Sequence, residues 1–153
     1  MIYMTRLFAF ALVFIGVSAC MAGDTTLTVK TNDGIEHTYH VEYAVTMEEK
    51  ARGLMFRDSM PDDHGMLFIY ETPQIAKFWM RNTLIPLDML FFDADQTLVH
   101  IEYNAIPHDE SPRGPNIPVC YVLEINAGQA ARLNIAKGAK FFAKLPQECL
   151  LME

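Results

Sequence analysis

Apolar and polar positions alternate at Leu27 and Val29 and again over residues 37–44, which predicts two strands. Thr31-Asn32-Asp33-Gly34 between them has turn composition, so the pair reads as an opening hairpin. Thr46-Met47-Glu48-Glu49 has the form of a capping box and predicts a short helix that runs to about Arg52 and ends near Gly53. Residues 66–70 are almost continuously apolar, as a buried strand is, and further strand-like runs occur at 77–80, 87–92, 98–103, 119–125 and 140–145. Asp93-Ala94-Asp95-Gln96 joins two of these runs as a second hairpin. Residues 127–135 have helical composition with Gly138 behind them, which predicts a second short helix. Pro107, Pro112, Pro115 and Pro118 break residues 104–118 into an exposed loop. Many short strands and little helix predict a mainly β (α+β) domain, a compact antiparallel β-sandwich or barrel of jelly-roll type with one or two short helices.

The N-terminus has a different pattern. Arg6, the apolar run 7–17 and the small residues before Cys20 have the layout of a signal peptide over residues 1–19. A run of that length is too short to cross a bilayer, which takes about 20 residues. Val17-Ser18-Ala19-Cys20 resembles a bacterial lipobox, where cleavage leaves the cysteine first in the chain and acylated. The expectation is therefore lipidation at Cys20, a tether over 20–26, a single domain over 27–148, a tail at 149–153, and the membrane as a partner through the anchor. Met21 is not the aspartate that retains lipoproteins at the inner membrane, so in a Gram-negative cell the periplasm-facing surface of the outer membrane is the expected location. Simple cleavage after Ala19, with Cys20 left free, is the alternative.

Composition narrows the partners. The chain has 153 residues, 51% of them hydrophobic, and its 12 basic residues against 19 acidic ones give a net charge of −7 with no basic stripe. One domain with one good core fits that length, and nucleic acid does not fit that charge. Cys120 and Cys149 have no CxxC or zinc-motif spacing, and whether they pair is open at this level.

The densest chemistry lies in Phe78-Trp79-Met80-Arg81-Asn82-Thr83, followed by Pro86-Leu87-Asp88, a polar knot between apolar runs. Together with Ala51-Arg52-Gly53-Leu54-Met55-Phe56-Arg57, Gly65-Met66-Leu67-Phe68, Tyr121-Val122-Leu123-Glu124 and Gly128, it resembles the family known as domain of unknown function 192 over about residues 41–141. The resemblance implies a small β-rich, jelly-roll-like fold and exported or membrane-attached members, and it brings no established reaction. Arg81 stands where lysine is common, which leaves the resemblance intact.

Asp88 and Glu124 lie in apolar runs, where an unpartnered carboxylate is costly, and Arg52, Arg57 and Arg81 are the natural partners. One reading is a set of internal salt bridges. The other is a cleft in which Trp79 forms a flat wall while Arg81, Asn82 and Asp88, supported by Glu124 and Arg52, orient a small polar ligand or an envelope partner. Catalysis is disfavoured, and its best form is a hydrolase that uses Asp88 and Glu124 as paired carboxylates. A second alternative is binding of Cu(I) by Met55, Met60, Met66, Met80 and Met89, or of another metal by His100 and Glu102. No cofactor motif is present, and no metal site is assigned.

Overall fold

A computed structural model describes residues 25–147 and Cys149. The signal segment 1–19, Cys20 and most of the tether and tail lie outside the described residues. The elements are β1 (Thr26–Lys30), β2 (Glu36–Ala44), α1 (Met47–Arg52), β3 (His64–Gln74), β4 (Leu87–Phe92), β5 (Leu98–Ala105), β6 (Val119–Asn126), α2 (Gln129–Arg132) and β7 (Lys140–Ala143). They form one curled sheet in the order β5-β4-β6-β3-β2-β1-β7. The fold is mainly β, as expected. Its strand pairs are antiparallel with one exception: β2 and β3 run parallel, because α1 and the loop after it carry the chain over the sheet between them.

The two edge strands meet at one end. Leu98 donates its amide to Ala139 (2.8 Å), Gly138 donates back to Leu98 (2.9 Å), and Phe141 donates to Gln96 (3.1 Å). That contact closes the curl toward a barrel and covers part of each edge. The enclosed core draws on all seven strands, including Leu27, Tyr39, Leu67, Leu90, Leu98, Leu123 and Phe141. A second cluster lies on the other face of β3, β4 and β6, where Met66, Phe68, Met89, Phe91 and Val122 pack under Leu54, Met80 and Ile85. All six residues of β4 are buried, as are the first seven of β6. Burial on both faces is the reason these runs read as continuously apolar and not alternating.

Two expectations need correction. Residues 77–80 are not a strand. Phe78 makes an isolated bridge to Arg113, exchanging hydrogen bonds of 2.9 and 2.8 Å, and Met80 donates to Asp109 (2.7 Å). Among the described residues, the segment's backbone bonds go to the proline-rich connection, which cannot offer a ladder, and to Thr83 in the turn that follows (3.1 Å). That connection is in turn strapped across residues 77–80, so it is packed and not simply an exposed loop. Cys120 and Cys149 are disulfide-bonded, which ties the tail to β6 beside Tyr121, whose hydroxyl accepts from the Cys149 amide (3.0 Å).

Candidate functional site

Glu124 sits near the end of β6, between Met66 of β3 and Met89 of β4. Its side chain is only 4% exposed, and among the described residues it makes no hydrogen bond or ion pair. Burial alone pushes its carboxyl up to about 8. The backbone permits so tight a seat because β3 passes β6 at a glycine. A Cβ on Gly65 would lie 2.6 Å from the Glu124 carbonyl oxygen.

Above Glu124 lies a small cavity of ≈ 80 Å³, lined by Lys50, Arg52, Phe68, Tyr70, Trp79 and Thr83 together with Gly53, Phe78 and Lys77. The end of α1 forms one wall. Its start is the expected capping box, with Thr46 accepting from the Glu49 amide (3.2 Å) and Glu49 accepting from the Thr46 amide (2.8 Å). It stops at Gly53, whose φ of 48° suits glycine. A Cβ there would press on the Phe68 ring at 3.2 Å and reach within 4.0 Å of Glu124 Oε2, so this glycine also keeps the cavity open. The opposite wall is residues 77–83, held by the proline-rich strap. Phe78 packs edge-on against Phe68, with ring centroids 4.9 Å apart.

Two of the three cations lining the cavity, Lys50 and Lys77, are engaged elsewhere. Lys50 Nζ lies 4.8 Å from the centre of the Tyr70 ring, and Lys77 donates to the Gly114 carbonyl (2.5 Å) and to Asn116 (3.0 Å). Arg81 lies over the Trp79 ring at 5.5 Å, and Trp79 itself is 47% exposed. Burial pushes the Tyr70 hydroxyl up to about 12, with the nearby Glu124 charge adding to it, and lowers Lys50.

Of the residues expected at the site, Trp79, Glu124 and Arg52 meet at this cavity, with Arg81 beside Trp79. Asn82 and Asp88 are not there. Asn82 has a φ of 53°, and its carbonyl accepts from the Phe56 amide (2.9 Å), so it shapes the turn that holds the neighbouring loop. Asp88 is fully buried and accepts from the backbone amides of Asn104 and Ala130, both at 2.9 Å. It supplies the acceptor at the start of α2, where Gly128 has no side chain to cap. Among the described residues, neither carboxyl group pairs with an arginine. Arg57 instead binds Glu42 through two bonds of 2.5 and 2.7 Å. Asp88 is opposite Ile125 and Glu124 is opposite Met89, so the two acids point to opposite faces of the sheet.

Other expected chemistry is used within the fold. His100 bonds Glu102 (2.7 Å), which also accepts from the Gly114 amide (3.2 Å). Met66, Met80 and Met89 fill the second core, with Met60 packed against it. Lys50, Tyr70 and Thr83 escaped the sequence reading. Thr83 belonged to the polar knot and carried some signal, whereas Lys50 and Tyr70 look like ordinary helix-surface and strand-end residues.

Residues 28–142 match the profile of the DUF192 family, described as uncharacterized ACR. The chain belongs to that family. A protein from Sinorhizobium meliloti 1021, described as a candidate transcription regulator, is 40% identical, with a TM-score of 0.77 over 78% of this chain and 92% of its own. One of unknown function from Novosphingobium aromaticivorans DSM 12444 is 45% identical, with a TM-score of 0.74 over 76% of this chain and 83% of its own. No curated protein matches.

Proposed function

We propose that this DUF192 protein is an exported, lipid-anchored envelope domain that binds a small polar ligand in the Glu124 cavity without transforming it. The observation that carries the reading is the Glu124 carboxyl at the floor of a cavity, with no hydrogen-bond or ion-pair partner among the described residues. A ligand that hydrogen-bonds this carboxyl does so in a low-dielectric seat, where the contact is stronger than in water. Trp79, half-exposed at the mouth, offers a flat surface for a ligand ring, and Arg52 and Lys50 stand beside it. A paired-carboxylate hydrolase lacks support, since Asp88 faces the other core.

The envelope location draws on two independent features. One is the apolar segment that ends in Val17-Ser18-Ala19-Cys20. The other is the Cys120–Cys149 disulfide, a bond that persists in oxidising compartments and not in a reducing cytosol. Acyl chains on Cys20 would hold the domain at a membrane surface at about 0.8 kcal/mol per buried methylene.

The test is thermal unfolding of the full chain against sugars and cell-wall fragments. A true ligand at a hundredfold excess over its Kd adds about 2.7 kcal/mol of stability. The shift should vanish in Glu124→Gln and Trp79→Ala, and a shift that survives both variants would place binding elsewhere. For the anchor, Cys20→Ser should release the protein from membranes and abolish lipid labelling. Unchanged attachment would overturn that part.

A further inference from the structure

The composition of the cavity says more about its ligand than that it is small and polar. Building on the binding reading above, we infer that the ligand is a small zwitterion resembling an ω-amino acid, whose primary ammonium enters the cavity to pair with Glu124 while its anionic end stays at the mouth among Lys50, Arg52 and Lys77. Three observations carry this. Glu124 is an acid, nine-tenths buried and without a hydrogen-bond partner among the described residues, and once ionised it only accepts hydrogen bonds, most strongly from a cation. The walls are Phe68, Phe78, Tyr70 and Trp79, and aromatic rings favour cations at their faces. Lys50 and Arg81 already lie over two of these rings.

The third observation concerns charges left unmatched. Three basic residues line the same cavity, yet none lies within ion-pair distance of the acid at its floor. Lys50 and Lys77 are held by a ring and by the strap, so the mouth is positive and the floor is acidic. A neutral ligand would use only one of these features, and a simple anion would meet the floor unfavourably once Glu124 is ionised. A molecule with an ammonium at one end and a carboxylate at the other uses both, and ≈ 80 Å³ has room for the ammonium end and little more.

The pairing makes binding and protonation interdependent. The titratable and charged groups lining the cavity with Glu124 are Lys50 and Arg52 from α1, Tyr70 from β3, which feels the Glu124 charge, and Lys77 from the strapped segment, while β4 contributes the apolar Met89. Glu124 is raised to about 8 by burial, so an ammonium ligand must displace its proton at pH 6 to 7. Affinity should then rise about tenfold per pH unit up to about pH 8 and level off above it. Ligand ammonium groups, which titrate near the lysine value of about 10.4, stay charged throughout.

Glycine, β-alanine and γ-aminobutyrate, which differ only in span, can be titrated calorimetrically into the full chain in detergent at pH 6, 7 and 8, beside their N-acetyl forms and a panel of neutral sugars. The expected result is that at least one amino acid binds, that acetylation weakens it tenfold or more, that the pH 6 to 8 rise appears, and that Glu124→Gln removes binding. If that variant fails to fold, the acetylation contrast and the pH profile on the native chain still decide. Affinity that falls with rising pH, or neutral sugars that bind at this cavity while amines do not, would overturn the ammonium and leave a ligand site. Silence from amines and sugars alike would overturn both.

Discussion

Asp88 and Glu124 are both carboxylates buried in adjacent strands of one sheet, one register step apart, and their circumstances are opposite. Asp88 faces the core enclosed by the curl and receives two backbone amides, from Asn104 and from the first turn of α2. Glu124 faces the second core, whose cover is loop and helix end, and it receives nothing from the described residues. The comparison separates two uses of a buried carboxyl. A carboxylate saturated by fixed amides organises the chain around it, as Asp88 does for α2. A carboxyl that the fold does not bond stays open to an incoming group.

Several measurements would break or sharpen this contrast. The largest effect is expected from pH. Glu124 has a folded value raised to about 8 against an ordinary 4.5, so the folded state holds a proton that the unfolded chain has released between those limits. The stability present at low pH is therefore lost as pH rises from 4.5 to 8 and is constant above that, on the order of 5 kcal/mol at most from this residue. Glu124→Gln should flatten that slope in denaturant titrations, and a slope that persists would mean that Glu124 is matched after all. Next is the disulfide on the Asp88 side of the sheet. Its two cysteines are 29 residues apart, so Cys149→Ser should cost about 3 kcal/mol, read as a lower unfolding midpoint.

Asp88→Ala leaves two backbone amides, one of them fully buried, without an acceptor and should cost about 2 to 3 kcal/mol, with ligand affinity unchanged. Loss of binding at native stability would reverse the roles assigned to the two acids. Thr46→Ala removes the cap of α1 and should cost about 1 kcal/mol, with a modest loosening of the cavity wall it carries. Trp79→Ala is the smallest in stability, within about 1 kcal/mol given its exposure, and should act on ligand affinity instead.

Much of the fold was legible locally. The opening hairpin, the capping box at Thr46, the hairpin across 93–96 and the short helix near 130 each rest on contacts between residues close in sequence. The false strand at 77–80 failed for the complementary reason. Its composition suits an extended chain, but pairing depends on what lies alongside, and here that is the strap 106–116. Burial on both faces of β4 and β6 was likewise visible as unbroken apolarity, whereas the parallel pairing of β2 with β3 was not, because the direction of a crossover depends on the whole sheet.

The sequence by itself determined the class of the domain, its membership of the DUF192 family, most strand positions, and the short list from which the site is drawn. Residue type and periodicity report how far each position wants to leave water, and they report it without knowing its neighbours. Only the tertiary structure decided which acid is satisfied and which is not, which glycines keep a cavity open, and that Cys120 and Cys149 meet. Those outcomes depend on distances between residues far apart in the chain. A carboxylate in a strand reads the same whether two amides or an empty space await it.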